Sequence, residues 1–142
     1  MKRTAWLPAL VLATVTLGVF GALHDYGPEG AVRRFHEAIR RNDAKELQEV
    51  LQEPIASTEA QQLVYSTRVL LRNGPAGLLG TRRGGRNVQM LVTYRDPYGR
   101  AFPIVFFVDK PVGSRQWKIS ASKTNVAISD YLRTLMNQPS AD

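Results

Sequence analysis

The amino-acid sequence predicts an α+β domain, with two to three helices packed on an antiparallel β-sheet, a further helix at the C-terminus and a hydrophobic segment at the N-terminus. Two changes of pattern predict this class. Apolar residues recur at helical spacing from residue 31 to residue 71, and the spacing changes to two from residue 88 to residue 121. The length of 142 residues fits one domain with a short appendage.

The first 23 residues have the composition of a transmembrane or signal helix. Ala5 to Leu23 contains nineteen residues without a charge, fourteen of them apolar, and a helix of that length spans about 28 Å. The best cleavage site, Val19-Phe20-Gly21, is a poor small-x-small match. This poor match favours an uncleaved anchor over a cleaved signal peptide. Cleavage would instead leave a secreted or periplasmic protein. Lys2 and Arg3 predict a cytoplasmic N-terminus and a domain outside the membrane.

The segments after the anchor are divided by breaks in the helical pattern. Residues 24–30, which contain Gly27-Pro28, are predicted to be a linker, and residues 31–136 the α+β domain. Residues 137–142 are predicted to be a disordered tail. Membrane attachment is therefore expected through residues 5–23.

Three helices are predicted in the first half of the domain. The first extends from Ala31 to Arg41. The second has Asp43 as its N-cap, with Glu46 at the capping-box position. The third begins at Thr58 and ends at Asn73-Gly74-Pro75, a strong stop signal.

Three strands and a last helix are predicted after a loop at residues 76–86. The strands cover residues 88–95, 100–109 and 116–121, and the turn Asp96–Gly99 joins the first two. The strand Arg100–Asp109 has apolar residues at both its even-numbered and its odd-numbered positions, which predicts a central strand covered on both faces. The last helix, Asn125–Met136, has the apolar stripe Val126, Ile128, Leu132 and Leu135 or Met136.

Composition excludes several kinds of chemistry. The absence of cysteine excludes disulfides, thiolate metal sites, a nucleophilic cysteine and a lipid-modified cysteine. The two histidines have no partner at metal-ligand spacing and no acidic calcium loop is present, so neither a metal nor a cofactor is predicted. Residues 60–123 carry eleven basic and two acidic side chains, whereas the whole chain has a net charge of +7. Fourteen of the nineteen cations are arginines, which suit bidentate contacts to anions.

The order of these elements resembles a known superfamily. The segment VRRFHEAIRRNDAKELQEVL (residues 32–51) is similar to the opening of small bacterial domains of the nuclear transport factor 2-like superfamily, which have a cystatin-like α+β cone. Gln116-Trp117-Lys118-Ile119 is similar to the strand that closes many of them, after a hairpin such as Tyr94–Pro103. The resemblance covers about residues 30–121. It implies a sheet curved over the first helix, which leaves a cone-shaped pocket.

No catalytic residue is predicted, because no side chain matches a catalytic motif of that superfamily. His36 borders the apolar stripe of the first helix, and Asp109 lies at a strand end beside Lys110. These two are the candidates for an acid-base group if the pocket is an active site. The candidate pocket-lining residues are Phe35, His36, Tyr65, Tyr94 and Trp117.

The segment Thr81–Arg86 is the most distinctive local feature, because three guanidinium groups flank two glycines. Arg82, Arg83 and Arg86 are candidate anion contacts, and Arg68 and Arg72 on the third helix are candidates to extend the patch. The candidate ligands are anionic lipid head groups, an acidic partner protein and nucleic acid. Nucleic acid is disfavoured, because no nucleic-acid-binding motif accompanies the arginines.

Three functions remain open on the sequence. The favoured one is a non-enzymatic, membrane-tethered binding or scaffold module outside the membrane of a bacterium. Its partner is an envelope protein, a second copy of the chain or a small molecule. The alternatives are a small isomerase- or dehydratase-like enzyme, and an anion- or nucleic-acid-binding protein that uses the arginine-rich loop.

Overall fold

The structure, a computed structural model, describes residues 27–137. The predicted anchor, residues 24–26 of the predicted linker and residues 138–142 of the predicted tail lie outside this range. The described part is an α+β domain with four helices and one four-stranded antiparallel sheet in the order β1-β2-β3-β4. Its elements are α1 (Pro28–Arg41), α2 (Ala44–Val50), α3 (Thr58–Leu71), β1 (Gly77–Gly84), β2 (Asn87–Arg95), β3 (Ala101–Asp109), β4 (Lys118–Ile119) and α4 (Ala121–Met136). None of these helices is long and apolar enough to cross a bilayer.

Helix α1 is longer at its start than the sequence pattern predicts. It begins at Pro28, so residues 28–30 form its first turn and are not linker. Proline suits this position because the first turn of a helix needs no N–H donor there. The predicted end is confirmed, since Asn42 takes a left-handed conformation with φ 56° after Arg41.

The predicted helix caps are largely confirmed. The Asp43 carboxylate accepts a hydrogen bond from the Glu46 N–H at 3.1 Å and so caps α2. Helix α3 begins at Thr58 as predicted, but its N-cap is Ser57, whose hydroxyl accepts from the Ala60 N–H at 3.2 Å. Ser57 is favoured because the capping hydroxyl must stand just before the first helical residue.

Strand β1 corrects the prediction of a loop at residues 76–86. Gly77–Gly84 pairs with β2, and only Gly85 and Arg86 form the turn of this hairpin. Gly85 has φ 62°, which glycine adopts without strain at the first turn position of a two-residue hairpin. The sequence gives no alternating signal for β1 because almost every residue in it is exposed.

The central strands place their inner face against the helices. Val88, Met90, Val92 and Tyr94 of β2 alternate as predicted and are all buried. In β3 the residues of the inner parity are largely buried, but Pro103, Val105 and Phe107 of the outer parity are only half-buried. The prediction that this strand is covered on both faces is therefore wrong for the outer face.

The C-terminal region has a shorter strand and an earlier helix than predicted. The predicted strand over residues 116–121 is reduced to Lys118–Ile119, and α4 begins at Ala121. The Glu53 carboxylate explains the early start, because it accepts from the Ala121 N–H at 2.8 Å and the Ser122 N–H at 3.0 Å. Backbone and side-chain hydrogen bonds from Ser122 and Ala121 outweigh the opposing effect of partial burial and lower the pKa of Glu53.

Helix α4 turns a different face to the domain from the one predicted. Thr124 is buried, Ile128 packs against the core, and the Tyr131 ring stacks on Phe102 at 6.0 Å between centroids. Three residues of the predicted apolar stripe are instead exposed, namely Val126, Leu132 and Met136. The helix packs beside β3, so the helix face that contacts this strand is the buried one.

Candidate functional site

A groove of about 360 Å³ lies between α1 and the start of β1, which is the edge strand of the sheet. We call it the α1–β1 groove. Val32, Leu78, Met90 and Val92 make its apolar wall, and His36 forms part of its floor. Its charged rim consists of Glu29, Arg33, Glu37 and Arg40. A volume of this size is in the range of small-molecule sites in proteins.

The charged rim is organised by the period of α1. The six α1 residues that line the groove recur at intervals of three and four positions, with two adjacent pairs, so they form one stripe along the helix. Both acids of the rim are bound by arginines: Glu29 by Arg83 at 3.0 Å, and Glu37 by Arg41 at 2.8 Å and by Arg40 at 3.8 Å. The acids of the rim are therefore neutralised by neighbouring guanidinium groups.

His36 and Tyr94 form a buried polar pair behind the groove. His36 Nε2 lies 2.5 Å from the Tyr94 hydroxyl, and the His36 residue is 7% exposed. Because His36 is in α1 and Tyr94 in β2, the contact joins the first helix to the sheet. The rings of Phe35 and Phe106 pack around His36 with centroids about 6 Å away.

Burial fixes the protonation of this pair. It lowers the pKa of the His36 imidazole to about 4, and the positive charge of Arg40 acts in the same direction. Burial also raises the pKa of the Tyr94 phenol well above its usual range. At neutral pH the phenol therefore keeps its proton and the imidazole is neutral, so the contact joins two uncharged groups.

The structure places the five candidate pocket residues in different surroundings. His36 lines the α1–β1 groove and Tyr94 stands directly behind it. Phe35 is fully buried in the core, with its ring 6.0 Å from that of Phe106. Tyr65 is 69% exposed on α3, and Trp117 is half-buried beside Lys110 near β4. Of this set, the structure brings His36 together with Tyr94 and with Phe35, and only His36 lines the groove.

The candidate anion contacts fall into two groups. The Arg83 side chain is on the inner face of the hairpin against Glu29, Arg82 is on the other face, and Arg86 is in the turn. Arg68 instead donates to the Asn42 side chain at 3.1 Å, at the C-terminal end of α1, and Arg72 lines the same depression. Since α1 has 14 residues and is about 21 Å long, the two groups do not form one patch.

Asp109, the other candidate acid, lies outside the α1–β1 groove. It is buried at the end of β3, where it accepts from the Lys123 ammonium at 2.8 Å. Asp96 is a turn residue, and its carboxylate accepts from the backbone N–H groups of Tyr98 and Arg100. Neither carboxylate lies within reach of the His36–Tyr94 pair, because neither is among the lining residues of the groove.

The sequence reasoning missed the rim of the groove. Glu29, Arg33, Glu37 and Arg40 repeat at helical spacing with Val32 and His36, and this spacing was a usable signal. No local signal indicated that Leu78 and Met90 line the groove. They belong to strands that follow α1 by some 40 residues in the chain.

No protein-family model matches the chain, and comparisons with curated proteins and with solved structures return no match either. The geometry of the α1–β1 groove and the placement of the charged side chains are therefore the observations that bear on function. Fold class alone would not decide between a binding module and an enzyme, since one fold hosts many functions.

Proposed function

We propose that this chain is a membrane-tethered, extracytoplasmic binding module of a bacterial envelope, without enzymatic activity. Its ligand occupies the α1–β1 groove. The observation that carries the proposal is that the groove ends on a neutral histidine, His36, which Tyr94 holds in place. The order of helices and strands, together with the resemblance to nuclear transport factor 2-like domains, supports a scaffold of the pocket-bearing kind.

The groove favours a ligand with an apolar body and an anionic head. Val32, Leu78 and Met90 offer apolar contact along the wall. The shorter ion pair of Glu37 is with Arg41 at 2.8 Å, whereas Arg40 lies 3.8 Å from the same carboxylate, so we assign Arg40 as the rim contact for a ligand carboxylate or phosphate. The neutral His36 ring adds a polar contact at the floor.

Binding fits these groups better than catalysis does. A general base works best when its pKa lies near the working pH, whereas the pKa of His36 is about 4 and its Nε2 is occupied by Tyr94. The centre of the domain is filled by Phe35 and Phe106, so the sheet encloses no second polar chamber among the described residues. Asp109 is held by Lys123 outside the groove.

An isomerase- or dehydratase-like enzyme is the second candidate function, and the His36–Tyr94 contact is the observation in its favour. A phenol beside a histidine can donate a hydrogen bond to a developing oxyanion. This function requires His36 to be released from Tyr94 when substrate binds. If the chain is an enzyme, His36→Gln should abolish turnover. If it is a binding module, the unchanged chain should show no turnover.

The groove is tested by adding a charge to its wall. Leu78→Glu places a carboxylate in the groove, where it repels an anionic ligand, so we expect aromatic carboxylate fragments to lose at least about tenfold in affinity. The measurement is saturation-transfer NMR on the full chain in lipid nanodiscs. The matched control is Leu79→Glu, since Leu79 is at the bulge of the same strand, is exposed and does not line the groove.

Two results would contradict the groove as a binding site. One is equal binding by the Leu78→Glu and Leu79→Glu chains. The other is the absence of any bound carboxylate fragment in the unchanged chain.

The membrane tether is tested with a C-terminal alkaline phosphatase fusion of the full chain in a bacterial host. We expect the fusion to remain in the membrane fraction after carbonate extraction and to be enzymatically active, because the phosphatase works only outside the cytoplasm. Substituting both Lys2 and Arg3 by Glu is expected to lower the active fraction. A shortened, soluble periplasmic product would show that the segment is a cleaved signal, and a cytoplasmic product would contradict the proposal.

A further inference from the structure

The described chain begins next to the tip of the β1–β2 hairpin. Gly27 precedes α1, and Glu29 in the first turn of α1 accepts from Arg83 at 3.0 Å. Thr81 of β1 also points to Glu29, at 3.5 Å. The hairpin tip, which contains Arg86, therefore lies at the end of the domain where the described chain begins, directly after residue 26.

Two further segments lie at this end. The Lys110 N–H donates to the Arg86 carbonyl at 2.8 Å, so the connection from β3 to β4, residues 110–117, lies beside the hairpin turn. Lys123 in the first turn of α4 bonds to Asp109 at the end of β3. We call this side the hairpin end, defined by Gly27, the hairpin turn, residues 110–117 and the first turn of α4.

The hairpin end carries an excess of unpaired positive charge. Among the described residues, the acids of this end are each engaged: Glu29 with Arg83, Asp109 with Lys123, and Glu53 with the start of α4. Within residues 27–137, no acidic side chain forms an ion pair with any of five cations at this end, namely Arg82, Arg86, Lys110, Arg115 and Lys118.

An exposed apolar tip stands among these cations. Val112 is 91% exposed in the connection between β3 and β4, beside Gly113 with φ 79°. Lys110 and Arg115 flank it in sequence, and the Lys110 ammonium lies 5.9 Å from the centre of the Trp117 ring. A valine and a tryptophan surrounded by cations suit the membrane interface, where the apolar side chains meet acyl chains and the cations meet lipid head groups.

The length of chain before Gly27 keeps this end close to the bilayer. Only residues 24–26 separate the predicted membrane span from Gly27, a reach of at most about 14 Å when fully extended. At the opposite end Arg100 pairs with Asp96, and Arg95 donates to the Gly99 carbonyl.

We propose that the hairpin end docks on anionic lipid head groups, with Arg82, Arg86 and the Val112 tip against the membrane. The proposal rests on the membrane tether of the proposed function and adds a defined orientation to it. Nucleic acid would meet the same guanidinium groups, but it gives no role to the exposed valine or to the position at which the chain joins its anchor.

The test uses the absence of cysteine in the full chain. Gln116→Cys at the hairpin end and Tyr98→Cys in the β2–β3 turn at the opposite end are each labelled with a fluorophore. Both chains are reconstituted into phosphatidylcholine vesicles, with or without phosphatidylglycerol, that contain a head-group quencher. We expect phosphatidylglycerol to increase quenching at Gln116→Cys and to leave Tyr98→Cys unchanged.

Charge variants identify the contacts. In the Gln116→Cys chain, Arg82→Gln with Arg86→Gln should remove most of the phosphatidylglycerol effect, since each cation near an anionic surface changes the docked population about fivefold. Lys45→Gln with Arg72→Gln makes the same charge change at the opposite end and should leave quenching unaltered. These four side chains are exposed, so folding is expected to be retained.

Three outcomes would overturn the docking while the tether stands, and vesicle flotation separates them from a fourth, in which the tether itself fails. Quenching that is equal in both vesicle types, or equal losses in the two double variants, shows that the hairpin end does not recognise anionic lipid. A probe that responds to single-stranded DNA but not to phosphatidylglycerol assigns the surface to nucleic acid. A chain that floats with neither vesicle refutes the tether, and the docking with it.

Discussion

Replacing Phe35 by alanine is expected to lower the free energy of unfolding by about 4 kcal/mol. Phe35 has no exposed surface, and its ring packs edge to face on Phe106 and beside His36. Removing the ring leaves a cavity in the centre of the domain and loosens the wall behind the α1–β1 groove. Urea unfolding of the full chain in nanodiscs, followed by circular dichroism, measures the change.

Tyr65→Ala is the matched control for this prediction. Both residues are aromatic, both lie on helices, and both were candidates for the pocket, but Tyr65 is exposed on α3. Its loss should change the free energy of unfolding by less than about 0.5 kcal/mol. Equal costs for the two substitutions would mean that Phe35 does not fill the core.

Acid is expected to destabilise the domain through His36. The pKa of the imidazole is about 4 in the folded chain and 6.5 in the unfolded chain, so only the unfolded chain takes up the proton between these values. The contribution of His36 to stability is therefore complete above pH 6.5 and declines as the pH falls to 4. Over this window it amounts to about 3 kcal/mol.

The His36→Gln chain isolates this effect from the other titrating groups. Glutamine retains an acceptor for the Tyr94 hydroxyl but has no proton to take up. Glu29 and Glu37 on the rim are present in both chains, so the difference in free energy of unfolding between the chains reports on His36. We expect that difference to change by about 3 kcal/mol between pH 6.5 and pH 4. A constant difference would show that His36 titrates alike in the folded and unfolded chains.

Elements set by local signals were predictable. Asp43 and Glu46 lie within one turn of each other and define the start of α2, and the alternation of Val88 to Tyr94 defines the buried face of β2. Strand β1 was not predictable, because its exposed residues have no buried face and its order comes from pairing with β2. The start of α4 depends on Glu53, which lies 68 positions before Ala121 in the chain.

The candidate site was only partly predictable for the same reason. The position of His36 at the border of an apolar stripe is visible in α1, but its partner Tyr94 lies 58 positions away. Phe35, Tyr65 and Trp117 were equal candidates as aromatic residues. Only the packing of α1 and α3 on the sheet separates a core residue from a surface residue and from one beside β4.

The protonation of His36 in the presence of a groove ligand tests the central claim most directly. The measurement is an NMR titration of the imidazole resonances in the full chain in nanodiscs, with His24→Gln leaving His36 as the one histidine. We predict a midpoint near pH 4, a single neutral tautomer at neutral pH, and a shift of the ring resonances when an aromatic carboxylate binds. A midpoint near 6.5, or resonances that do not respond to any fragment, would contradict a binding groove built on a neutral histidine.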